Sequence, residues 1–254
     1  MKRFILILQF MTRIPINIDV GFDEDFHKSL YYFPLVGFVL GVLSFTIGVV
    51  SIKLFDPFIV SIIITLSMIL LTGGLHIDGV GDTFDALYSY RNKEKMLEIM
   101  KDSRLGTNSL LAIIFLILMK VGFIYSLIKY NLLWIIIFMP VVSRLSVLLM
   151  TYKTVTPRKK GMGNLFIGKG TFDMIVIGTT YTIIFMILIG RFAFNESNIM
   201  IIKMATSIIP VFLFTYIFKK HVYKKIDGVT GDILGCTIEI SELVYLIYMY
   251  LLVI

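Results

Sequence analysis

Asp78, Asp82 and Asp85 stand at i, i+4 and i+7 in the stretch Thr72-Gly-Gly-Leu-His76-Ile-Asp78-Gly-Val-Gly-Asp82-Thr-Phe-Asp85, directly after an apolar run. A helix from Asp78 onward stacks the three carboxylates on one face. Like charges so close disfavour one another's ionised form unless a cation is shared among them. All-oxygen ligands suit a hard ion, and Mg²⁺ held by carboxylates and completed by phosphate oxygens is the usual arrangement in phosphoryl chemistry. The alternative for a D-x3-D-x2-D pattern is an exposed acidic helix turn. Against it, Gly73, Gly74, Gly79 and Gly81 each lower helix propensity by roughly 1 kcal/mol relative to Ala, a cost that is understandable where backbone must approach a ligand. The spacing therefore predicts Asp78, Asp82 and Asp85 as Mg²⁺ ligands.

Three other stretches carry candidate chemistry. In Ser103-Arg104-Leu-Gly106-Thr107-Asn108, Arg104 offers a bidentate fork. Ser103, Gly106 and Thr107 can present hydroxyls and N–H groups to a phosphate at the start of the next helix; ordinary glycine punctuation of a helix end is the alternative. The loop from Lys159 to Gly170 mixes glycines with Asn164 and Lys169, as a loop folding over phosphates would. It is no Walker A motif, because Gly170 stands where Ser or Thr should be, and a basic loop facing lipid explains it equally well. Finally, Asp232, Glu239 and Glu242 at i, i+7 and i+10 share a face at the start of the last apolar run. Carboxylates near membrane depth face a cavity or a partner. Arg144 is the candidate countercharge or phosphate contact, while Lys120 and Lys203 read as snorkelling or structural.

The elements that must position these groups are membrane spans. Of 254 residues, 57% are hydrophobic and 16% charged, with a mean hydropathy of +0.90. This places the chain among polytopic membrane proteins. One cysteine, Cys236, excludes an internal disulfide and a thiolate cluster, and three scattered histidines argue against a zinc site. A net charge of +7 without any nucleic-acid motif reports topology and anionic lipid rather than nucleic acid. Apolar runs near residues 33–52, 58–75, 110–127, 132–150, 174–189, 199–218 and 233–254 predict an all-α chain of about seven transmembrane helices in a single domain, 1–254. The run after Met1-Lys2-Arg3 is short and lacks a cleavage site, so it is expected to stay as an interfacial or re-entrant helix. Of the 24 Lys and Arg, 18 fall on one side of the spans, three on the other and three within them. The positive-inside rule then puts the N-terminus and the polar loops, hence the active site, in the cytoplasm. No internal repeat points to a transporter.

The ordered set Phe10-Met-Thr12-Arg13-Ile-Pro15, Phe33-Pro34-Leu-Val-Gly37, Gly73-Gly-Leu-His76-Ile-Asp78-Gly-Val-Gly-Asp82-Thr-Phe-Asp85, Met96-Leu-Glu98-Ile-Met-Lys101-Asp102-Ser103-Arg104-Leu-Gly106-Thr107, Gly163-Asn164-Leu-Phe-Ile-Gly168-Lys169 and Gly228-Val-Thr230-Gly231-Asp232-Ile-Leu-Gly235, followed by Glu239 and Glu242, resembles cobalamin synthase, the adenosylcobinamide-GDP ribazoletransferase family. Coverage is nearly end to end. Gly81, where alanine is expected, and Asn108, where histidine is expected, depart from the pattern without touching a carboxylate. The resemblance implies an inner-membrane, Mg²⁺-dependent enzyme of nucleotide-loop assembly. It would join adenosylcobinamide-GDP to α-ribazole or its 5′-phosphate and release GMP. It leaves homo-oligomerisation and association with other nucleotide-loop enzymes open. By position, Asp78, Asp82 and Asp85 would hold Mg²⁺ on the diphosphate. His76, or whichever aspartate does not bind metal, would take the hydroxyl proton. Arg104, Lys169 and Arg144 would bind phosphate, with Ser103 and Asn164 in the same binding group. Asp232 and Glu239 would serve a second metal or the amides and base of a ligand. Alternatives are a CDP-alcohol phosphotransferase, an aromatic prenyltransferase or a cation transporter, whose motif spacings or acid placement fit less well.

Overall fold

Asp56, Pro57 and the Gly73-Gly74 pair show how sequence sets the helix ends here. Asp56 Oδ1 accepts from the N–H of Phe58 (2.9 Å) and Ile59 (3.3 Å), a side-chain cap on donors the helix leaves unpaired, with Pro57 in the first turn where its missing N–H costs nothing. The helix stops sixteen residues later, where Gly73 and Gly74 both take positive φ, 63° and 73°, a conformation glycine adopts without a Cβ penalty. A Cβ on Gly73 would lie 2.3 Å from Arg13 Nε. The Arg13 N–H in turn donates to Leu71 O at 2.7 Å, tying the N-terminal segment to the bend. Across it the chain turns by 90°.

In the computed structural model, residues 2–21 and 23–253 are described, and among them the chain is helical without a strand. The α-helices are Lys2–Met11 (α1), Phe33–Ser51 (α2), Pro57–Thr72 (α3), Leu75–Leu87 (α4), Lys93–Ile99 (α5), Thr107–Lys129 (α6), Met139–Thr151 (α7), Phe172–Leu188 (α8), Asn198–Thr206 (α9), Ile208–Ile226 (α10) and Gly231–Val253 (α11). Six helical segments are long and apolar enough to cross a membrane, and the bent pair α3–α4 raises the number to seven when taken as one span. At ten residues, α1 reaches only about 15 Å, half the roughly 30 Å hydrocarbon core. It packs on the 3-10 turn Phe26–Tyr32 and on α2.

The second apolar run does not continue to Leu75 as a straight span. The helix expected from Asp78 onward forms as α4, beginning at Leu75, and it packs against α11 and α6. Apolar side chains gain little from mutual burial in lipid, so close helix contacts rely on small residues. A Cβ on Gly79 would come 2.6 Å from Asp232 O, and one on Gly235 would come 3.2 Å from His76 Cα. This crossing sets the α4 aspartates beside the head of α11.

The helix α7 is the axis of the bundle, with 89% of its span buried inside the protein, against 33% for α6 and 28% for the span containing α8. The outward faces of those peripheral helices carry Phe115, Leu118, Ile177 and Ile184, all exposed, which suits them to lipid.

Candidate active site

Two cavities meet at Asp78. The first, about 420 Å³, lies between the end of α1, the head of α4, the segment joining α7 to α8 and the head of α11. Asp78, Arg158, Asn164 and Asp232 supply its polar groups beside an apolar wall that includes Phe10, Phe33 and Phe166. The second, about 280 Å³, is lined by Asp78, Asp82, Lys101, Ser103, Arg104 and Ser109 among others. Loops far apart in sequence therefore share one end of the bundle.

Within this junction Asp78 is exposed and Asp82 half-buried. The carboxylates of Asp78, Asp232 and Asp85 all act on Asp82 with like charge, opposed by Arg158. The guanidinium of Arg158 places Nη2 2.8 Å from Asp232 Oδ2, with both side chains largely buried. The position of Asp85 is different. Its Oδ2 accepts from Gly106 N–H at 2.6 Å and its Oδ1 from Ser109 N–H at 2.9 Å, so it holds the first turn of α6. Of the three aspartates expected as Mg²⁺ ligands, Asp85 is thus engaged as a helix cap, whereas Asp78 and Asp82 line the second cavity. Among the described residues no three His, Cys, Asp or Glu side chains gather closely enough to form a metal site by themselves. Mg²⁺ is ordinarily held by one or two carboxylates, with waters and substrate phosphates completing its shell. Asp78 and Asp82 on one face of α4 fit that chemistry, and the described residues form no self-sufficient protein cage.

The phosphate clamp is rearranged in a related way. Arg104 and Ser103 line the second cavity as expected, but the N-terminus of α6, expected to receive phosphate, already holds Asp85. The Arg104 side chain is 88% exposed and bonds its neighbour Asp102, Nη2 to Oδ2 at 2.5 Å and Nε to Oδ1 at 3.0 Å. That contact holds the Asp102 carboxyl at a pKa of about 2. Lys169 is exposed and lines neither cavity. Asn164 shapes the loop that carries Arg158: its Nδ2 donates to Arg158 O at 2.9 Å and its Oδ1 accepts from Thr156 Oγ1 at 3.2 Å.

Arg144 and Glu239 belong to a buried ion network rather than to a surface open to ligand. Lys120 Nζ donates to Glu239 Oε2 (2.5 Å) and Glu242 Oε2 (2.6 Å), and Arg144 Nη1 donates to Glu242 Oε1 (2.5 Å). Two cations and two carboxylates neutralise one another inside the bundle, so Arg144 is countercharge and not phosphate contact. Glu239 is engaged by Lys120 and is not available to a second metal. Arg144 Nη2 also lies 3.4 Å from His76 Nδ1. A guanidinium has no acceptor, so Nδ1 must be the acceptor here and the proton sits on Nε2. With its lone pair turned to Arg144, His76 is suited to donate a hydrogen bond into the first cavity, which it lines, and not to act as the base.

Sequence reasoning passed over Arg158 and the phenylalanine wall. Nothing local to Pro157-Arg158-Lys159 reveals that Asp232 is the partner. The ion network had a readable signal, since two lone cations in apolar runs, Lys120 and Arg144, match two acids in the last one.

The chain matches the family model described as cobalamin-5-phosphate synthase over residues 3–250. It belongs to that family. It is 69% identical to the adenosylcobinamide-GDP ribazoletransferase of Clostridioides difficile (strain 630) over 253 residues, covering 100% of this chain and 98% of that protein. Identity to the adenosylcobinamide-GDP ribazoletransferase of Alkaliphilus metalliredigens (strain QYMF) is 42% over 260 residues, with coverage of 99% and 96%. The family member of the same name from Clostridium novyi (strain NT) is 39% identical over 250 residues, with 97% and 96% covered. No solved structure matches the chain.

Proposed function

We propose that this chain transfers the adenosylcobinamide phosphoryl group of adenosylcobinamide-GDP to a hydroxyl of α-ribazole or α-ribazole 5′-phosphate and releases GMP. Full-length likeness to relatives of that name supports the reaction. The observation that carries the site is Asp78, placed where an apolar-walled cavity meets a polar one. A group transfer between a nucleotide donor and a riboside acceptor fits such a junction, with acceptor and donor approaching one set of carboxylates from two sides.

Asp78 and Asp82 would hold Mg²⁺ against the diphosphate. Bound there, Mg²⁺ would offset the negative charge that develops on the phosphoryl oxygens. The attacking hydroxyl forms the new bond to the cobinamide-bearing phosphorus as the P–O bond to GMP breaks, and its proton passes to a carboxylate oxygen of this aspartate pair that the metal leaves free. Arg104 and Lys101 would receive the departing GMP phosphate, with Arg104 exchanging Asp102 for it. Arg158 fixes Asp232 beside the pair, and His76 Nε2–H orients the acceptor. The corrinoid, too large for either cavity, rests at their mouth near the membrane surface. The charge bias of the loops supports an orientation with this end of the bundle in the cytoplasm of a bacterial or archaeal cell, at the inner membrane. GMP release by protein in liposomes, measured with both substrates and Mg²⁺ beside a cation-flux assay, tests this reading. GMP release without flux supports it, and flux without GMP release would replace it by a transporter.

A further inference from the structure

The walls of the first cavity differ in chemistry from end to end. Phe166 packs edge-on to Phe33 (ring centroids 5.2 Å) and to Phe10 (5.7 Å). Phe33 and Phe166 are each only 3% exposed. With Met11, Val147 and Ile238 they make an apolar surface facing the same space as Asp78, Asn164 and Asp232. At about 420 Å³ it lies within the roughly 300–1,000 Å³ usual for a small organic ligand, and a corrin ring with its amides does not fit.

We infer that this cavity is the binding site for the acceptor nucleoside, with the flat apolar benzimidazole against Phe10, Phe33 and Phe166 and the ribose hydroxyls toward Asp78, Asn164 and Asp232. The inference rests on the proposed reaction and deepens it by naming which substrate enters where and what selects the base. The competing occupant is the guanosine half of the donor. Guanine carries amide and amino groups along its edge, and burying each against phenylalanine without a partner is unfavourable. Dimethylbenzimidazole presents methyl groups there instead, and aromatic rings in edge-to-face contact gain beyond simple burial. The polar second cavity, with Lys101, Ser103 and Arg104, suits the GMP half. By the same reasoning the phenylalanine wall discriminates against a purine riboside as acceptor, since adenine's amino group would be left unpaired.

Met162 lines the cavity from the loop side and is 63% exposed, so Met162→Trp can narrow the cavity without disturbing the core. The experiment uses the full chain in lipid nanodiscs. Binding of α-ribazole, α-ribazole 5′-phosphate and adenine riboside is measured by titration without donor, and KM for each substrate is measured in the GMP-release assay. Met162→Trp and Phe166→Leu are expected to weaken α-ribazole binding and raise its KM about tenfold, with KM for adenosylcobinamide-GDP changed less than twofold. Wild-type protein is expected to bind α-ribazole at least tenfold more tightly than adenine riboside, and comparison of ribazole with its phosphate shows whether the 5′-phosphate adds affinity. A raised KM for adenosylcobinamide-GDP alone would overturn the assignment in favour of guanosine, as would equal binding of the two ribosides. If wild-type protein binds α-ribazole in a Met162-dependent way yet releases no GMP, the cavity assignment stands and the proposed reaction fails.

Discussion

Asp85 accepts the N–H of Gly106 at 2.6 Å and, through its other oxygen, that of Ser109 at 2.9 Å, so a residue spaced like a metal ligand is the cap of the helix that follows. A carboxylate at a helix N-terminus satisfies donors and complements the dipole. Asp85→Ala is therefore expected to destabilise the protein by about 1–2 kcal/mol while leaving the Mg²⁺ concentration for half-maximal GMP release unchanged in the protein that remains folded. Thermal unfolding in detergent beside a Mg²⁺ titration checks it. Weakened Mg²⁺ activation at full stability would return Asp85 to the ligand set.

The buried network makes a second prediction. Breaking a buried ion pair by removing one partner costs about 3–5 kcal/mol because the other charge is left unpaired. Lys120→Met should therefore lower the melting temperature strongly, and Lys120→Met combined with Glu239→Gln should recover part of the loss. A double variant no better than the sum of its parts would show that Lys120 and Glu239 act independently.

Arg104 supplies the third. Because Arg104 keeps the Asp102 carboxyl at about 2, a depressed value, the pair's contribution is present above the unfolded pKa of roughly 3.9 and lost only as pH falls toward 2. Changes in turnover between pH 5 and pH 8 should then be the same in wild type and Asp102→Asn. In the same assay Arg104→Lys should raise KM for the donor about tenfold, as a point charge replaces a planar fork. Lys93→Ala, which removes an exposed pair with Asp227, should change nothing measurable. Equal effects at Arg104 and Lys93 would mean that general loop charge is being measured.

Much of this architecture was legible because membrane spans announce themselves by length and apolarity, and the helical spacing of Asp78, Asp82 and Asp85 is a local property. The break at Gly73-Gly74 was visible only as two glycines. Its 90° turn depends on Arg13, sixty residues earlier, filling the space a side chain would need. Likewise Asp85 and Asp82 have equal standing in sequence and are separated only by where α6 begins. Lys120 looked like a snorkelling cation because its partners lie 119 and 122 residues away. Partner identity is a tertiary property, and it decided the roles of Arg144, Glu239, Arg158 and His76 alike.

The central claim is that Asp78 and Asp82 act through Mg²⁺ on the diphosphate, and Asp82→Asn tests it most directly. The change keeps size and removes one charge from a cluster in which Asp78 and Asp232 already repel it, so the metal-free protein should be no less stable. GMP release from adenosylcobinamide-GDP and α-ribazole, followed across a Mg²⁺ titration in liposomes, should fall about 100-fold, or roughly 2.7 kcal/mol of transition-state stabilisation, with Mg²⁺ activation shifted to higher concentration. Turnover near that of wild type with an unchanged Mg²⁺ dependence would contradict it.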